Sequence, residues 1–239
     1  TGYQFADLAE LQTGVNLWIS DKSSALSTYG EINTWDTSLV TSMDELFKNK
    51  YTFNDDISNW NTSNVTDMRN MFNGCTSFNQ PLDFDTSNVT TMTLMFYGCS
   101  IFNQQLDFDT SNVITMDYMF SGCTDFNSPV TFDTSNVTNM TYMFLSCIHF
   151  NQPLDFDTSN VTTMDSMFVD CTNFNSPVNF DTSNVTNMGL MFQYCTSFNS
   201  PVTFDTSNVT DMRNMFRECT SFNQDIRDWT IIVSSDRTD

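Results

Sequence analysis

The amino-acid sequence predicts an α/β solenoid with short parallel strands on one side and short helices on the other. The first observation is a period of 24 residues, which every cysteine obeys. The second is a set of apolar residues at helical spacing in each period, and the third is a short alternating apolar and polar segment before it. A period of this length is typical of repeat architectures. The cysteines are Cys75, Cys99, Cys123, Cys147, Cys171, Cys195 and Cys219.

Residues 1–31 differ from the repeat and predict a helical N-terminal cap. Apolar residues at helical spacing would form one helix face that covers the first coil. These residues are Leu8, Leu11, Val15 and Trp18. The chain begins at Thr1 rather than Met, and we interpret it as a processed or excised piece of a longer protein.

Residues 32–225 divide into eight repeats, and residues 226–239 form a truncated ninth repeat that we expect to cap the other end. Two 25-residue repeats come first and carry Trp35 and Trp60, where the six 24-residue repeats carry Phe. The repeats start at Ile32, Ile57, Leu82, Leu106, Val130, Leu154, Val178 and Val202.

Each repeat predicts a strand, a turn and a helix. The third repeat opens with Leu82-Asp83-Phe84, an alternating strand, and continues with Asp85-Thr86-Ser87-Asn88, whose side chains are typical of helix caps. A helix of about three turns would follow, with one apolar face. That face consists of Val89, Met92, Phe96 and Cys99. Because so small a unit cannot bury its own apolar face, we expect coils stacked about 4.8 Å apart with reduced, buried cysteines.

The acidic residues also follow the period and dominate the charge. The net charge is −21, and residues 70–212 contain 14 Asp but no Lys or Arg. This composition excludes nucleic acid and anionic membranes as good partners and leaves no cation to clamp a phosphate.

Six aspartates at one repeat position form a predicted column of like charges. At about 5 Å, each neighbouring pair would oppose folding by roughly 0.8 kcal/mol in water. Helix capping would offset this repulsion, and weak association of Ca²⁺ is the second interpretation, although no calcium-binding motif defines a metal site. The residues are Asp85, Asp109, Asp133, Asp157, Asp181 and Asp205.

The repeat resembles that of the BspA-like leucine-rich repeat surface proteins, in particular their mycoplasma-type repeats. The matching residues run from Trp60 to Cys75 and from Phe78 to Leu82, and the match recurs over residues 32–229. The resemblance implies a leucine-rich-repeat-like right-handed coil, an extracellular or cell-surface location, a role in adhesion or protein binding, and no catalytic residues. The 24-residue repeats depart from the family's usual 25-residue length.

These observations predict a non-enzymatic recognition or adhesion module, because no catalytic constellation stands out. We expect an unidentified protein or glycan to bind the strand face, and no apolar run is long enough to insert into a membrane. The alternative is a structural spacer, or a self-assembling scaffold unit of a surface layer, filament or virion. The expected interaction face consists of Asp83, Asp85, Asp107, Asp109, Thr131, Asp133, Asp155, Asp157, Asn179, Asp181, Thr203 and Asp205.

Overall fold

The computed structural model describes residues 2–230, and its only long helices there lie at the N-terminal end. Helix α1 spans Leu8–Ser20, helix α2 spans Lys22–Tyr29, and a single 3₁₀ turn covers Ile32–Thr34. The side chain of Asp7 accepts a hydrogen bond from the Glu10 amide at 2.9 Å, which satisfies one free amide at the start of α1. The predicted helical cap therefore coincides with two real helices, and its expected extent over residues 1–31 stays a prediction.

Helix α1 lies against the first repeats through one apolar face. Leu11, Val15 and Trp18 are buried. Polar contacts fix the same face, because Gln12 donates to the Leu46 carbonyl at 2.9 Å and the Trp18 indole donates to an Asp55 carboxylate oxygen at 2.9 Å. The helix thus covers the apolar side chains that the first repeat would otherwise expose.

The predicted α/β solenoid is wrong. Only 10% of the structure is helical and 6% lies in strand pairing, and the described residues form no sheet. The predicted strand at Leu82–Phe84 does not form, although its side chains still alternate between buried and exposed. On that side, the parallel pairing consists of isolated bridges from Leu154 to Val178 and from Val178 to Val202.

The predicted helix in each repeat is replaced by a series of turns joined to the next repeat. In the third repeat, alternate amides close four-residue turns, as the Met95 amide does by donating to the Met92 carbonyl at 3.1 Å. The amides between them donate to the following repeat, as Phe96 does to the Met119 carbonyl at 2.9 Å. Leu94 has φ 59°, which a right-handed helix does not permit. Bonds between repeats therefore take the amides that a helix would use internally.

Most parallel bridges lie in this same turn region. A single residue of each repeat pairs with its equivalent in the next repeat, so the successive repeats stack in register. The bridged residues, in order, are Ser42, Asp67, Thr91, Thr115, Asn139, Thr163, Asn187 and Asp211.

The core consists of side-chain columns that run through the stacked repeats. Phe96 and Phe120 stack at 5.7 Å between ring centroids, and Phe102 and Phe126 stack at 6.1 Å. The cysteines are free and buried, and each thiol donates to a carbonyl of the preceding repeat, as Cys123 does to Phe96 at 3.0 Å. Each repeat is thus completed by its neighbours.

At the C-terminal end, the last described residues pack on the same columns. The Trp229 ring lies 5.9 Å from the Phe204 ring, and the Thr230 amide donates to the Thr206 hydroxyl at 2.8 Å. The predicted cap at 226–239 stays a prediction, because residues 231–239 lie outside the described residues.

Candidate functional site

The predicted interaction face, hereafter the acidic face, is an exposed surface on one side of the stack. In the first five residues of each 24-residue repeat, successive side chains are alternately buried and exposed, as they would be along an extended segment. In the third repeat Leu82, Phe84 and Thr86 are buried, while Asp83 and Asp85 are exposed. All twelve predicted face residues are exposed and follow this pattern.

The carboxylates of the aspartate column are held by local turns. Asp85 accepts a hydrogen bond from the Ser87 hydroxyl at 2.6 Å and from the Ser87 amide at 3.1 Å. These bonds lower the pKa of Asp85, first through the hydroxyl and then through the amide, against a smaller opposing effect of Asp109. The pKa values of Asp109, Asp133, Asp157, Asp181 and Asp205 are lowered by the equivalent serines.

The sequence predicted that helix capping offsets the repulsion between the aspartates of the column, and this prediction is wrong. No helix begins there, so the caps expected from the sequence are absent, and a serine two residues later supplies the donors instead. Within residues 2–230, no three His, Cys, Asp or Glu side chains lie together in a way that would hold a metal ion. The six aspartates that the sequence offered for Ca²⁺ accept turn hydrogen bonds from serine amides, and their association with Ca²⁺ stays a prediction.

The threonine that follows each aspartate ties the acidic face to the next repeat. Thr86 is 1% exposed, and its hydroxyl donates to the Asp109 carbonyl at 2.9 Å. The same bond joins Thr110 to Asp133 at 2.8 Å. Because each bond satisfies a buried hydroxyl and a backbone carbonyl, the spacing of the exposed carboxylates is fixed by the backbone.

A shallow groove of about 550 Å³ crosses the acidic face in the middle of the stack. Its polar lining consists of Gln152 and of three residues at the second repeat position, which varies between repeats. These three are Thr131, Asp155 and Asn179. Its apolar lining includes the prolines that precede the extended segments. They are Pro129, Pro153 and Pro177. The groove offers a hydroxyl, a carboxylate and an amide above an apolar floor.

The sequence reasoning missed a second surface in the turn region, hereafter the tyrosine–aspartate patch. It consists of Tyr97, Asp117, Tyr118, Tyr142 and Asp165. Tyr118 and Tyr142 stack at 4.5 Å between centroids, and the Tyr97 ring lies 6.3 Å from the Tyr118 ring. The signal in the sequence was variation, since these residues occupy positions where otherwise similar repeats differ.

A family model matches most of the chain. The family is described as "Mycoplasma protein of unknown function, DUF285", and the matches cover residues 19–108, 82–156, 106–179 and 154–238. No curated protein and no solved structure matches the chain. In residues 2–230, no helix has both the length and the apolar character needed to span a bilayer.

Proposed function

Because the chain belongs to the DUF285 family of mycoplasma repeat proteins, we propose that it is a non-enzymatic recognition or adhesion module of the cell surface. The observation that carries the proposal is the acidic face. Its carboxylates are exposed, and their backbone positions repeat along the stack. The likeness to BspA-like surface proteins, which rests on the repeat residues alone, supports the same role.

The groove at Thr131, Asp155 and Asn179 is the proposed binding site on this face. A rigid polar rim above prolines suits an extended polypeptide or a glycan, because both offer polar groups and apolar edges. Repeat identity breaks at these three positions while the neighbouring serines and threonines stay the same.

A binding screen tests the proposal. The purified chain is immobilised, and a panel of extracellular proteins and glycans is passed over it with surface plasmon resonance as the readout. We expect at least one ligand whose binding weakens in an Asp107→Asn/Asp155→Asn variant. The matched control, Asp125→Asn/Asp170→Asn, removes the same charge away from the acidic face and should retain binding. A panel without a ligand, or equal losses in both variants, would overturn the proposal.

The second candidate is a structural spacer or a self-assembling surface unit. It is favoured by the near identity of the interior repeats, since a dedicated binding site usually breaks repeat identity. Light scattering over a concentration series separates the two candidates. Assembly that grows with concentration supports the spacer or scaffold, whereas a monomer that binds a panel ligand supports the recognition module.

A further inference from the structure

The tyrosine–aspartate patch presents aromatic rings at the surface of the turn region. Tyr97 is 40% exposed, and Tyr118 and Tyr142 are partly buried. The two partly buried rings are 18° from parallel with centroids 4.5 Å apart, so each ring covers one face of the other and leaves its outer face for a ligand. Backbone bonds between repeats fix this arrangement, because the Tyr118 amide donates to the Thr141 carbonyl at 3.0 Å.

Two carboxylates flank these rings and keep oxygen atoms free. Oδ1 of Asp117 accepts from the hydroxyls of Thr93, at 2.6 Å, and Thr115. Oδ2 of Asp165 accepts from the Ser166 hydroxyl at 3.1 Å. Within residues 2–230, the other oxygen of each carboxylate accepts no hydrogen bond, and Oδ1 of Asp165 lies beside Gly189 of the following repeat.

The surroundings of the patch select the charge of a ligand. Residues 70–212 contain no Lys or Arg, so no cation of that segment neutralises Asp117 or Asp165. Both carboxylates act electrostatically on the Tyr118 hydroxyl and, after burial, help to raise its pKa. A cationic group is attracted to the faces of aromatic rings and to carboxylates, and the patch offers both.

The chain itself contains an example of this arrangement. The Lys22 ammonium lies 4.4 Å from the centroid of the Trp18 ring and 2.9 Å from an Asp55 carboxylate oxygen. There, a cation of the N-terminal helices occupies an aromatic face beside an acid. In the tyrosine–aspartate patch, the aromatic face and the acids are present and the described residues supply no cation.

We propose that the tyrosine–aspartate patch binds the arginine or lysine side chains of a basic peptide segment in a partner protein. This inference rests on the proposed recognition function and names a partner class for it. It places that partner on the turn side of the repeats, away from the acidic face. The outer face of a stacked ring receives the guanidinium or ammonium group, and the carboxylate oxygens accept its N–H bonds.

The test uses a fluorescein-labelled peptide of alternating Gly and Arg, with anisotropy measured at physiological ionic strength. Screening over about 8 Å reduces diffuse attraction to the acidic chain. We expect Tyr118→Ala/Tyr142→Ala to raise Kd about tenfold, as the loss of two cation–π contacts implies. Asp117→Asn/Asp165→Asn should act in the same direction.

Two controls separate the patch from general charge and from folding. Asp109→Asn/Asp157→Asn removes the same charge from the acidic face. It should change Kd less than about twofold, because salt screens charges that lie on the other side of the repeats. Tyr118→Phe/Tyr142→Phe keeps the rings and should bind nearly as tightly as the unchanged chain. The Phe variant also shows whether a loss in the Ala variant comes from the rings or from misfolding.

Three results would overturn the inference. They are no binding of the Gly-Arg peptide, equal weakening in the acidic-face control, and equal binding of a Gly-Gln peptide of the same length. These results leave the ligand panel of the proposed function untouched. A chain that binds a panel ligand but not the Gly-Arg peptide retains its recognition role and loses only the cationic partner.

Discussion

At the residue scale, a left-handed backbone position recurs once near the end of the turns in each repeat. Glycine occupies it at Gly74, Gly98 and Gly122, with φ between 69° and 78°. Later repeats place Ser146 and Asp170 there, with φ 57° and 62°. A side chain in this region costs roughly 1–2 kcal/mol. The same turn is therefore less favourable in the repeats that carry Ser or Asp at this position than in those that carry Gly.

Exchanging glycine and serine at this position should shift stability in opposite directions. Gly98→Ala should lower the free energy of unfolding by about 1–2 kcal/mol. The new Cβ would lie 3.8 Å from the Gly74 Cα, so no clash contributes. Ser146→Gly should raise it by about 0.5–1 kcal/mol, since the relieved strain exceeds the entropy that glycine loses. Urea denaturation measures both, and a loss in both variants would contradict this account.

The buried cysteines should resist thiol reagents in the folded chain. Burial raises the pKa of the Cys75 thiol to about 12 and that of Cys219 to about 11, and thiolates are the reactive form. We expect Ellman's reagent at pH 8 to label almost no cysteine in the native protein and all seven in urea. Cys219, which is 8% exposed, should react first on mild destabilisation. Rapid native labelling of Cys123 would contradict the buried column.

At the element scale, the sequence predicted which side chains are buried better than it predicted the backbone. Val89, Met92, Phe96 and Cys99 are all buried, as the helical spacing implied. The helix itself was wrong because four-residue turns, closed between residues i and i+3, give the buried side chains nearly the same spacing. Hydrogen bonds to the next repeat, which no local pattern records, then decide the backbone.

Of the two candidate sites, one was predictable from the sequence and the other was not. The outward position of Asp83 and Asp85 follows from simple alternation, so the acidic face was predictable from the sequence. The stacking of Tyr118 on Tyr142 depends on which positions of adjacent repeats meet across the turns. Because the sequence predicted a helix at that position, the tyrosine–aspartate patch was not predicted.

The chain should still fold when a whole repeat is deleted, and it should not fold when only part of a repeat is deleted. Deletion of residues 178–201 joins Pro177 to Val202 and keeps every column in register. Because each repeat contacts only its neighbours, we expect a cooperative melt with a midpoint lowered by a few degrees at most. Deletion of residues 178–189 shifts the columns against each other and should abolish the melt. Circular dichroism measures both, and equal behaviour would rule out a stack held by register.

At the scale of the whole molecule, the titratable groups define a window of stability. The six aspartates of the column that starts at Asp85 have pKa values below the ordinary 3.8. Their contribution to the free energy of unfolding is therefore present above that pH and is lost as the pH falls through the folded pKa values. The thiols have pKa values raised above 9.0 by burial. The contribution of the buried thiols to the free energy of unfolding is present below pH about 9. It is lost as the pH rises, because the thiols of the unfolded chain then release protons.

The free energy of unfolding should therefore fall steeply with pH in the alkaline range. Each buried thiol adds up to about 1.4 kcal/mol per pH unit to the loss of stability above pH about 9. We expect a Cys123→Ala/Cys147→Ala variant to show a shallower slope between pH 9 and 11 than the unchanged chain. Urea midpoints measured across that range provide the test, and identical slopes would exclude the thiols as the cause.

The amides that join each repeat to the next have a mechanical consequence. They lie along the direction in which a load applied to the two ends would act, so tension would open one junction at a time. Each released 24-residue repeat would lengthen the chain by about 80 Å. Unravelling should start opposite α1, where Phe216 and Phe222 are only partly buried. We therefore expect a chain of this kind to lengthen in steps under load.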